Sequence, residues 1–523
     1  MYNILVSDKM SQEGLAPLLG KDNIVLDQRH ISEVEDLSKY DALLVRSGTK
    51  VTEDVFAKMP NLKIVARAGV GVDNIDIEAA TQYGVIVINA PDGNTISTAE
   101  HTFSMMCSLL RNIPQATASV KAGEWNRSKF QGVELFGKTL GIVGMGRIGS
   151  QIAKRANAFE MTVLAFDPFL TKERAEAMNV QLCSLDEILE QADIITVHTP
   201  LTKETKGLIG KHNIGKTKKG VYLLNCARGG IIDESALVEY LDNGHIGGVA
   251  LDVYEEEPAN NTALLSNEKV ICTPHIAAST KEAQLNVAVS VAKEVLDYFN
   301  GKPATHSLNL PAMSAETYQK IQPYYDLTKM MGNIISQLVK VPVYEIKVEY
   351  SGEIGKLETT ITTRALLAGF FQTRVDGGVN EVNATMIAEQ RGITFGEKVR
   401  NEDSGYANLV SATVIGEDTN FTIKGTYIKD FGPRIVSVYG FDVDFYPNRN
   451  LLYIRHTDRP GMIGRVGQIL GESNVNIATM QVGRKEIGGE AIMILTYDGH
   501  VTDETIEKLN EIDAIARVRV IEL

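Results

Sequence analysis

Three polar side chains lie just beyond apolar stretches of the sequence and could together carry out acid–base chemistry on a small acid. They are Arg228, Glu257 and His275. A guanidinium group can clamp a carboxylate, an imidazole can exchange a proton near neutral pH, and a carboxylate can hold that imidazole. The run of glutamates Glu255, Glu256 and Glu257 leaves open which of these carboxylates does so.

A glycine-rich loop at residues 144–149 carries the second chemical signal. The predicted strand Thr139–Gly144 runs into this loop, and a helix is predicted to follow it. Glycines spaced in this way allow a tight turn, a close approach of the backbone to a pyrophosphate, and close packing of helix on strand. A second strand ends at Asp167, whose carboxylate can accept ribose hydroxyls and repel a 2′-phosphate, so the pattern predicts NAD. The residues predicted to hold the cofactor here are Gly144, Gly146, Arg147, Ile148, Gly149 and Asp167.

Two series of short apolar runs alternate with helical stretches and must position these residues. The first lies within residues 1–90 and the second within residues 139–273. Unbroken apolar runs of this kind are typical of parallel strands buried on both faces. The sequence therefore predicts an α/β fold with two doubly wound parallel sheets of the Rossmann or flavodoxin type, with helices at Ala99–Lys121 and Thr280–Asn300. Because ligands of such sheets bind beyond the carboxyl ends of the strands, the chemical groups should share one crevice.

The sequence changes character after a turn-rich stretch at residues 302–311. A helix is predicted for Tyr318–Val339, and the apolar runs that follow it are typical of antiparallel strands. Beyond Pro447 the pattern is strand, helix, strand, strand, helix, strand. This order predicts a small ferredoxin-like α+β module at the end of the chain.

The composition excludes several classes of protein. The chain has 523 residues, of which 44% are hydrophobic, with 52 basic and 66 acidic side chains and a formal net charge of −14. It is too apolar for a disordered chain, and its negative charge disfavours nucleic acid and anionic membranes as partners. The four cysteines form no CxxC pair, so no metal site is expected. With no signal peptide and no long apolar run, a cytoplasmic location is expected.

Five motifs resemble the signatures of the D-2-hydroxyacid dehydrogenase family. They are ARAGVGVDNID at 66–76, GMGRIG at 144–149, NCARGGIID at 225–233, ALDVYEEEP at 250–258 and TPHIAAST at 273–280. The resemblance covers about residues 1–310. After it, DRPG at 458–461 and VNI at 475–477 resemble an ACT domain, an amino-acid-sensing module. The whole arrangement is similar to the long, phosphoglycerate-oxidising members of the family.

The resemblance implies a role for each member of the trio. His275 would act as general base on the C2 hydroxyl of a 2-hydroxy acid while a hydride passes to NAD, and Arg228 would clamp the substrate carboxylate. The Glu-Pro spacing of the family selects Glu257 as the partner of the imidazole. Further cofactor contacts are implied at Thr199, Pro200, Cys226, Ala227 and Asp252.

The substrate that the resemblance implies, 3-phosphoglycerate, carries a carboxylate and a phosphate and needs local positive charge in an acidic chain. Arg46 and Arg67 follow apolar strands and are expected to contact the phosphate. Arg127 is a further candidate, with a surface ion pair as its alternative. The backbone amides of Val70 and Gly71 could hold the carboxylate, because glycine allows a close approach.

The resemblance also implies four structural units. They are a substrate-binding domain of residues 1–98 and 287–311, an NAD-binding domain of residues 99–286, an intervening domain of residues 312–448 and an ACT domain of residues 449–523. L-serine would bind where two ACT modules meet, at His456, Asp458 and Asn476, so a homo-oligomer, either dimer or tetramer, is expected. Alternatively, the last module only joins subunits.

The sequence leaves two other functions open. Another enzyme of the same family could act on glycerate, formate or lactate, although such chains generally lack two C-terminal domains and need no arginine pair at Arg46 and Arg67. An NAD-sensing corepressor scaffold would keep the dehydrogenase fold and its trio. It would, however, need a peptide groove in place of an amino-acid module.

Overall fold

The first sheet is built from the N-terminal strands. The computed structural model describes residues 1–400, 405–417, 419–447 and 450–523. The strands of this sheet are β1 (Tyr2–Val6), β2 (Ile24–Asp27), β3 (Ala42–Val45), β4 (Ile64–Arg67) and β5 (Ile86–Asn89), with helices α1 (Gln12–Leu15), α2 (Glu53–Lys58) and α3 (Ile77–Gln82) between them. All pairings are parallel, in the order β2-β1-β3-β4-β5, and both faces bury apolar clusters. Strand β2 is not among the predicted strands. It lies at an edge of the sheet and is only partly buried, so its apolar pattern in the sequence is weak.

The second sheet follows the same principle with seven parallel strands. They are β6 (Thr139–Val143), β7 (Thr162–Phe166), β8 (Gln181–Leu182), β9 (Ile194–Val197), β10 (Val221–Asn225), β11 (Ile246–Leu251) and β12 (Val270–Cys272). Its helices are α4 (Thr95–Leu110), α5 (Ile113–Lys121), α6 (Arg147–Ala158), α7 (Lys172–Ala177), α8 (Leu185–Gln191), α9 (Glu234–Asp242), α10 (Thr262–Leu265) and, returning to the first sheet, α11 (Lys281–Phe299). The order is β12-β11-β10-β9-β6-β7-β8, so the order in which strands are added reverses between β6 and β9, with β7 and β8 on one side and β9 to β12 on the other. In open α/β sheets this reversal opens a crevice for a ligand.

The helix predicted for Ala99–Lys121 is two helices. Helix α4 ends at Leu110 and α5 begins at Ile113, with Asn112 between them at a φ of 51°. Pro114 lies in the first turn of α5, where its fixed φ and missing N–H are tolerated. The prediction of one continuous helix was wrong because the apolar pattern continues across the break.

The third sheet is mixed and packs against two helices that cross closely. Its strands are β13 (Val343–Gly352), β14 (Thr394–Arg400), β15 (Asn408–Gly416), β16 (Thr419–Ile428), β17 (Gly432–Val438) and β18 (Phe441–Phe445), and its helices are α12 (Ala315–Leu338), α13 (Thr360–Phe371) and α14 (Ala384–Gln390). The pairings are antiparallel as predicted, except that β14 runs parallel to β13. Helix α13 buries ten of its twelve residues, so it lacks the amphipathic pattern that would predict it.

The fourth sheet has the predicted order of elements. It consists of β19 (Asn450–Thr457), α15 (Met462–Glu472), β20 (Asn476–Arg484), β21 (Glu490–Asp498), α16 (Asp503–Asn510) and β22 (Ile515–Glu522), with strand order β20-β21-β19-β22. One face packs on α15 and α16. The other face continues the core of the third sheet, where Leu451, Tyr453 and Ile494 join Phe441 and Phe445. The predicted boundary between residues 448 and 449 lies outside the described residues, and the four domain bounds stay predictions.

Two asparagines connect the unit of the third sheet to the first sheet. Asn380 Nδ2 donates to the carbonyl oxygen of Gly84 at 2.7 Å, and Asn383 Nδ2 donates to that of Gln82 at 3.5 Å. Gln82 is the last residue of α3, whose terminal carbonyl groups have no partner within the helix, and Gly84 follows in the turn after it. Val382, between the asparagines, is buried in the core of the first sheet.

Helices α12 and α13 approach each other closely because each has a glycine at their crossing. A Cβ at Gly332 would overlap the carbonyl oxygen of Leu366, and a Cβ at Gly369 would overlap that of Lys329. The backbones therefore touch directly, and no larger residue fits without movement of one helix.

We expect Gly332→Ala to destabilise the protein by about 1–3 kcal/mol, the usual cost of extra volume in a packed interior. The helix propensity of alanine, which is about 1 kcal/mol better than that of glycine, offsets only part of this cost. Gly467→Ala on α15 is the matched control, because its Cβ would meet no described atom within 4 Å. The thermal unfolding of both variants is measured by scanning calorimetry. A Gly332→Ala protein as stable as the Gly467→Ala control would contradict the close crossing of the two helices.

Candidate active site

Strands β10, β11 and β12 are neighbours, and their carboxyl ends bring the trio to one edge of the second sheet. The side chain of Asn225, the last residue of β10, donates from Nδ2 to the carbonyl oxygen of Arg228 at 2.8 Å and so closes the loop between them. This loop touches the segment after β11, because a Cβ at Gly229 would overlap the carbonyl oxygen of Tyr254. Arg228 is therefore fixed next to the segment that carries Glu257.

His275 and Glu257 form a hydrogen-bonded pair. Nδ1 of the imidazole lies 2.8 Å from Glu257 Oε2, and both side chains are partly exposed. With Nδ1 engaged, Nε2 is the ring atom that can exchange a proton with a ligand. The adjacent carboxylates have other partners: Glu255 accepts from the first amide of α9, and Glu256 accepts from Asn260. Geometry therefore pairs the imidazole with Glu257 among the three glutamates.

The carboxylate of Asp252 is buried and binds the turn that carries His275. Oδ1 accepts from the Ile276 amide at 2.8 Å, and Oδ2 accepts from the Ala277 amide at 2.9 Å. Burial alone would raise the pKa of Asp252, but the surrounding hydrogen-bond donors hold it below its ordinary value. The group is therefore an ionised acceptor inside the protein, and its predicted contact with the cofactor stays a prediction.

Arg67 and Arg228 approach each other from opposite walls of the crevice. A Cβ at Gly71 would overlap Arg228 Nη2, so this guanidinium group of the second sheet lies against the loop that follows β4. Arg228 Nε is also 3.7 Å from Asp73 Oδ2 in that loop. Burial and the nearby charge of Arg228 lower the pKa of Arg67. Positive charge is therefore concentrated here and only partly compensated.

Arg46 is the third positive group and lies on the same wall as Arg67. Asp8 shapes its turn, because Oδ2 accepts from the Arg46 amide at 2.6 Å and from the Thr49 amide at 3.1 Å. Asn74 joins this turn to the loop after β4, since its Nδ2 donates to the Arg46 carbonyl oxygen at 2.7 Å. The charge of Arg46 also contributes to the lowered pKa of Arg67.

The other residues predicted to bind substrate lie in two places. Asn89 Nδ2 donates to the Val70 carbonyl oxygen at 2.6 Å, which holds Val70 and Gly71 in the loop that Arg228 touches. Arg127 lies in an exposed segment just before a short 3-10 helix. In the described part of the chain, the contacts that gather the other three arginines do not include it, and its role stays a prediction.

Three side chains of the crevice are missing from the sequence predictions: Asp8, Asp73 and Asn74. Asp73 and Asn74 stand inside the ARAGVGVDNID motif, so the motif could have pointed to them. Asp8 lies 38 residues from Arg46 in sequence, and only the parallel pairing of β1 with β3 brings the two together. No local pattern signals a contact of that kind.

The glycine-rich loop has the geometry that a pyrophosphate requires. Gly144 has a φ of 99°, and a Cβ at Gly149 would overlap the carbonyl oxygen of Gly144. A Cβ at Gly146 would meet no described atom within 4 Å, which leaves room for a ligand against the backbone. Helix α6 begins at Arg147, so its first N–H groups face this space.

Two side chains next to this loop fit a dinucleotide. Asp167, just after β7, accepts from the Met145 amide through Oδ2 at 2.8 Å, so its carboxylate lies at the loop. Thr199 Oγ1 is buried beside Gly144 and has no hydrogen-bond partner among the described residues. Burial lowers the pKa of the adjacent His198 to about 3, so that imidazole is neutral. An unpaired buried hydroxyl at this point is what a site awaiting a polar ligand provides.

Three further residues predicted to bind the cofactor have defined surroundings, while the contacts of Ile148 and Pro200 with it stay predictions. Burial raises the pKa of Cys226 to about 12, so its thiol stays protonated and unreactive. The Ala227 amide donates to Asn225 Oδ1 at 3.1 Å, and the side chain of Arg147 forms an ion pair with Asp92. Within the described ranges, no group of three His, Cys, Asp or Glu side chains is placed to hold a metal ion.

The three predicted effector residues lie at both ends of the fourth sheet. His456 is buried at the end of β19, and Asp458 next to it accepts from Arg484 Nη1 at 3.0 Å. Asn476 begins β20, and its Nδ2 donates to Asp498 Oδ2 at 3.0 Å. The pairing of both strands with β21 separates Asn476 from His456 by on the order of 20 Å. One chain therefore does not bring the three together.

Three known domain families each match one stretch of this chain. Residues 103–277 match the NAD-binding domain of D-isomer-specific 2-hydroxyacid dehydrogenases, residues 320–439 the D-3-phosphoglycerate dehydrogenase intervening domain, and residues 450–514 the ACT domain.

Solved structures of related dehydrogenases resemble the first part of this chain. A D-lactate dehydrogenase from Aquifex aeolicus, solved with NAD and lactic acid, is 30% identical with a TM-score of 0.52, and the match covers 59% of this chain and 100% of the lactate dehydrogenase. A glyoxylate reductase from Paecilomyes thermophila is 28% identical with a TM-score of 0.53, over 59% and 98%. Fold and site define an NAD-dependent dehydrogenase of the D-2-hydroxyacid class.

Similarity extends over the whole chain for two relatives. The D-3-phosphoglycerate dehydrogenase of Bacillus subtilis (strain 168) is 58% identical and that of Methanocaldococcus jannaschii 45% identical, each over 100% of both chains. This chain belongs to the D-3-phosphoglycerate dehydrogenase family, and its cofactor is NAD. The predicted fold class and cofactor are confirmed. None of the described helices is both long and apolar enough to cross a membrane.

We expect Gly146→Ala and Gly149→Ala to weaken NAD binding for different reasons. Alanine at 146 fills the space next to the loop without touching the protein, so the dissociation constant of NAD should rise by about tenfold or more, a loss of about 1.4 kcal/mol. Its thermal unfolding without NAD should match that of the wild type. Alanine at 149 would push α6 away from the loop and should lower both affinity and stability. Isothermal titration and calorimetry measure these quantities; unchanged NAD affinity in Gly146→Ala would contradict this placement.

Proposed function

We propose that this chain oxidises D-3-phosphoglycerate to 3-phosphohydroxypyruvate with NAD, the first step of serine synthesis in the cytoplasm. The observation that carries this proposal is the gathering of Arg46, Arg67 and Arg228 in the crevice that also holds the His275–Glu257 pair. A proton-exchanging pair alone suits any 2-hydroxy acid. The three guanidinium groups favour an acid that carries a second anionic group.

A substrate with a carboxylate and a phosphate matches the charge of this crevice. A phosphate monoester carries about −1.5 to −2 charges at neutral pH, in addition to the carboxylate. Because burial and Arg228 make the charge of Arg67 costly, an anion bound between the two stabilises both. A lactate-like acid would bring a single carboxylate and leave positive charge uncompensated. Asp73, which faces Arg228 without substrate, would be displaced by the stronger anion.

The side chains divide the chemistry between them. His275 takes the proton of the C2 hydroxyl through Nε2, because Glu257 holds Nδ1 and stabilises the imidazolium that forms. Arg228 binds the carboxylate and the C2 oxygen, which positions the substrate and stabilises charge on that oxygen. The bound NAD supplies the acceptor for the C2 hydride. In the reverse direction, His275 returns its proton to the product oxygen.

We expect NAD reduction to be faster with D-3-phosphoglycerate than with D-glycerate or D-lactate, and Arg67→Gln to reduce this preference. Loss of a charge-assisted contact of about 1.5–3 kcal/mol should lower kcat/KM for the phosphorylated acid by about ten- to a hundredfold. The value for D-glycerate should change less. Arg29→Gln, in an exposed ion pair with Asp27, is the matched control. Equal rates for the three acids, or none with the phosphorylated one, would overturn the proposed substrate.

We propose further that the chain is a homo-oligomer and that serine inhibits it at a site shared by two ACT modules. His456 and Asp458 lie at one end of the fourth sheet and Asn476 at the other, so one molecule of serine cannot reach all three in a single chain. Strand β20 is an edge of this sheet. Antiparallel pairing of two such edges would bring Asn476 of one chain next to Arg484 and Asp458 of the other.

We expect serine to lower the turnover of the wild-type enzyme and Asp458→Ala to raise the half-inhibiting concentration by about tenfold or more, since a contact to a charged group is lost. Asp513→Ala, on a highly exposed side chain of the same module, is the matched control. Turnover without serine is the internal reference for each variant. A wild-type enzyme that serine does not inhibit, or a monomer in analytical ultracentrifugation, would contradict the effector proposal and leave the proposed reaction standing.

A further inference from the structure

Helix α4 directs the imidazole of His101 at the turn that carries His275. His101 Nε2 lies 3.4 Å from Asp252 Oδ1 and 3.3 Å from Thr273 Oγ1. The Asp252 side chain is completely buried, and that of His101 is 18% exposed. This histidine belongs neither to the trio of Arg228, Glu257 and His275 nor to the glycine-rich loop.

The two groups next to His101 Nε2 can only accept a hydrogen bond from it, so this nitrogen must be the donor. The hydroxyl of Thr273 gives its single proton to Asp252 Oδ1 at 2.6 Å. An ionised carboxylate has acceptor atoms only, so both atoms within reach of Nε2 are acceptors. The N–H must therefore point toward them, and the two long distances fit one N–H shared between two oxygens.

The carboxylate that His101 contacts binds a side-chain hydroxyl before His275 and two backbone amides after it. Thr273 precedes it, and the amides of Ile276 and Ala277 follow it; all three donate to the same carboxylate. His275 has a φ of 53°, in the left-handed region that a non-glycine residue keeps only when its surroundings fix it. The orientation of the imidazole therefore depends on these donations.

Helix α4 braces the same segment at a second point. Ser97 Oγ lies 2.7 Å from Thr280 Oγ1, the residue that caps α11. His101 is one helical turn further along α4 and contacts the start of the segment, while Ser97 contacts its end. The segment between Thr273 and Thr280 is therefore held against α4 at both ends.

We propose that His101 is a positioning residue for the oxidation: by donating from Nε2 to Asp252 and Thr273, it fixes the turn that aims His275 at the substrate. This role rests on the proposed function, because it takes His275 as the group that accepts the substrate proton. A displacement of about 1 Å at a reacting group can cost about a hundredfold in rate. The glycine-rich loop lies on other strands, so its fit to the pyrophosphate should not depend on His101.

The test compares His101→Phe, which keeps a ring and removes Nε2, with His101→Gln, whose amide can still donate. Ser104→Ala, at an exposed position of the same helix, is the matched control. For His101→Phe, kcat with D-3-phosphoglycerate should fall by about ten- to a hundredfold at saturating NAD. The deuterium isotope effect on kcat with 2-deuterated substrate should rise, because a misplaced base slows the chemical step relative to product release. His101→Gln should recover part of the rate.

A double-mutant cycle with His275→Asn determines whether His101 acts through His275. If it does, His101→Phe causes no further loss in the His275→Asn background. A full additional loss, an unchanged kcat, or a reduced kcat with an unchanged isotope effect overturns the proposal. His101→Leu replaces His101→Phe if the latter does not fold. A wild-type enzyme inactive on D-3-phosphoglycerate contradicts the proposed function instead, and the same comparison is then made with the 2-hydroxy acid that it oxidises.

Discussion

Two guanidinium groups of like charge, Arg67 and Arg228, lie near each other across the crevice, and their repulsion must be offset by the groups around them. They belong to different sheets, so their proximity depends on how the two sheets are joined. The carboxylates of Asp73 and Asp8 offset part of the charge, and Asn74 orders the loops, without neutralising the site. A chain with a net charge of −14 thus repels large polyanions at long range and still attracts a small anion at one place.

The two walls of the crevice contribute different parts of the reaction. The first sheet supplies the arginines Arg46 and Arg67, and the second supplies Arg228, the imidazole–carboxylate pair and the glycine-rich loop. The chain crosses between the walls at the start of α4 and again after β12, and the two crossings touch through Ser97 and Thr280. A movement of one wall relative to the other would therefore displace the turn of His275 through the connecting chain segments, in addition to any effect of the bound substrate.

The parallel sheets, the glycine-rich loop and the strand-end trio are predictable from sequence because each depends on a local pattern. Helix α13 is not, since burial of ten of its twelve residues removes the helical period, and a single left-handed residue, Asn112, breaks a helix whose apolar pattern continues. Asp8 reaches Arg46 only through strand pairing. The choice of Glu257 among the three glutamates required the Glu-Pro spacing of the family, and the structure shows the contact directly. The separation of Asn476 from His456 follows only from the way that β19 and β20 pair with β21.

The third and fourth sheets share one apolar core, which limits how the protein can be divided into separately folding fragments. Leu451, Tyr453 and Ile494 of the last module are buried in the same cluster as Phe441 and Phe445 of the unit before it. Separation of the two units would expose an apolar face on both fragments and favour aggregation. The ACT module therefore cannot be exchanged alone: grafting it onto another enzyme, or deleting it from this one, requires moving the two C-terminal units together as a single piece.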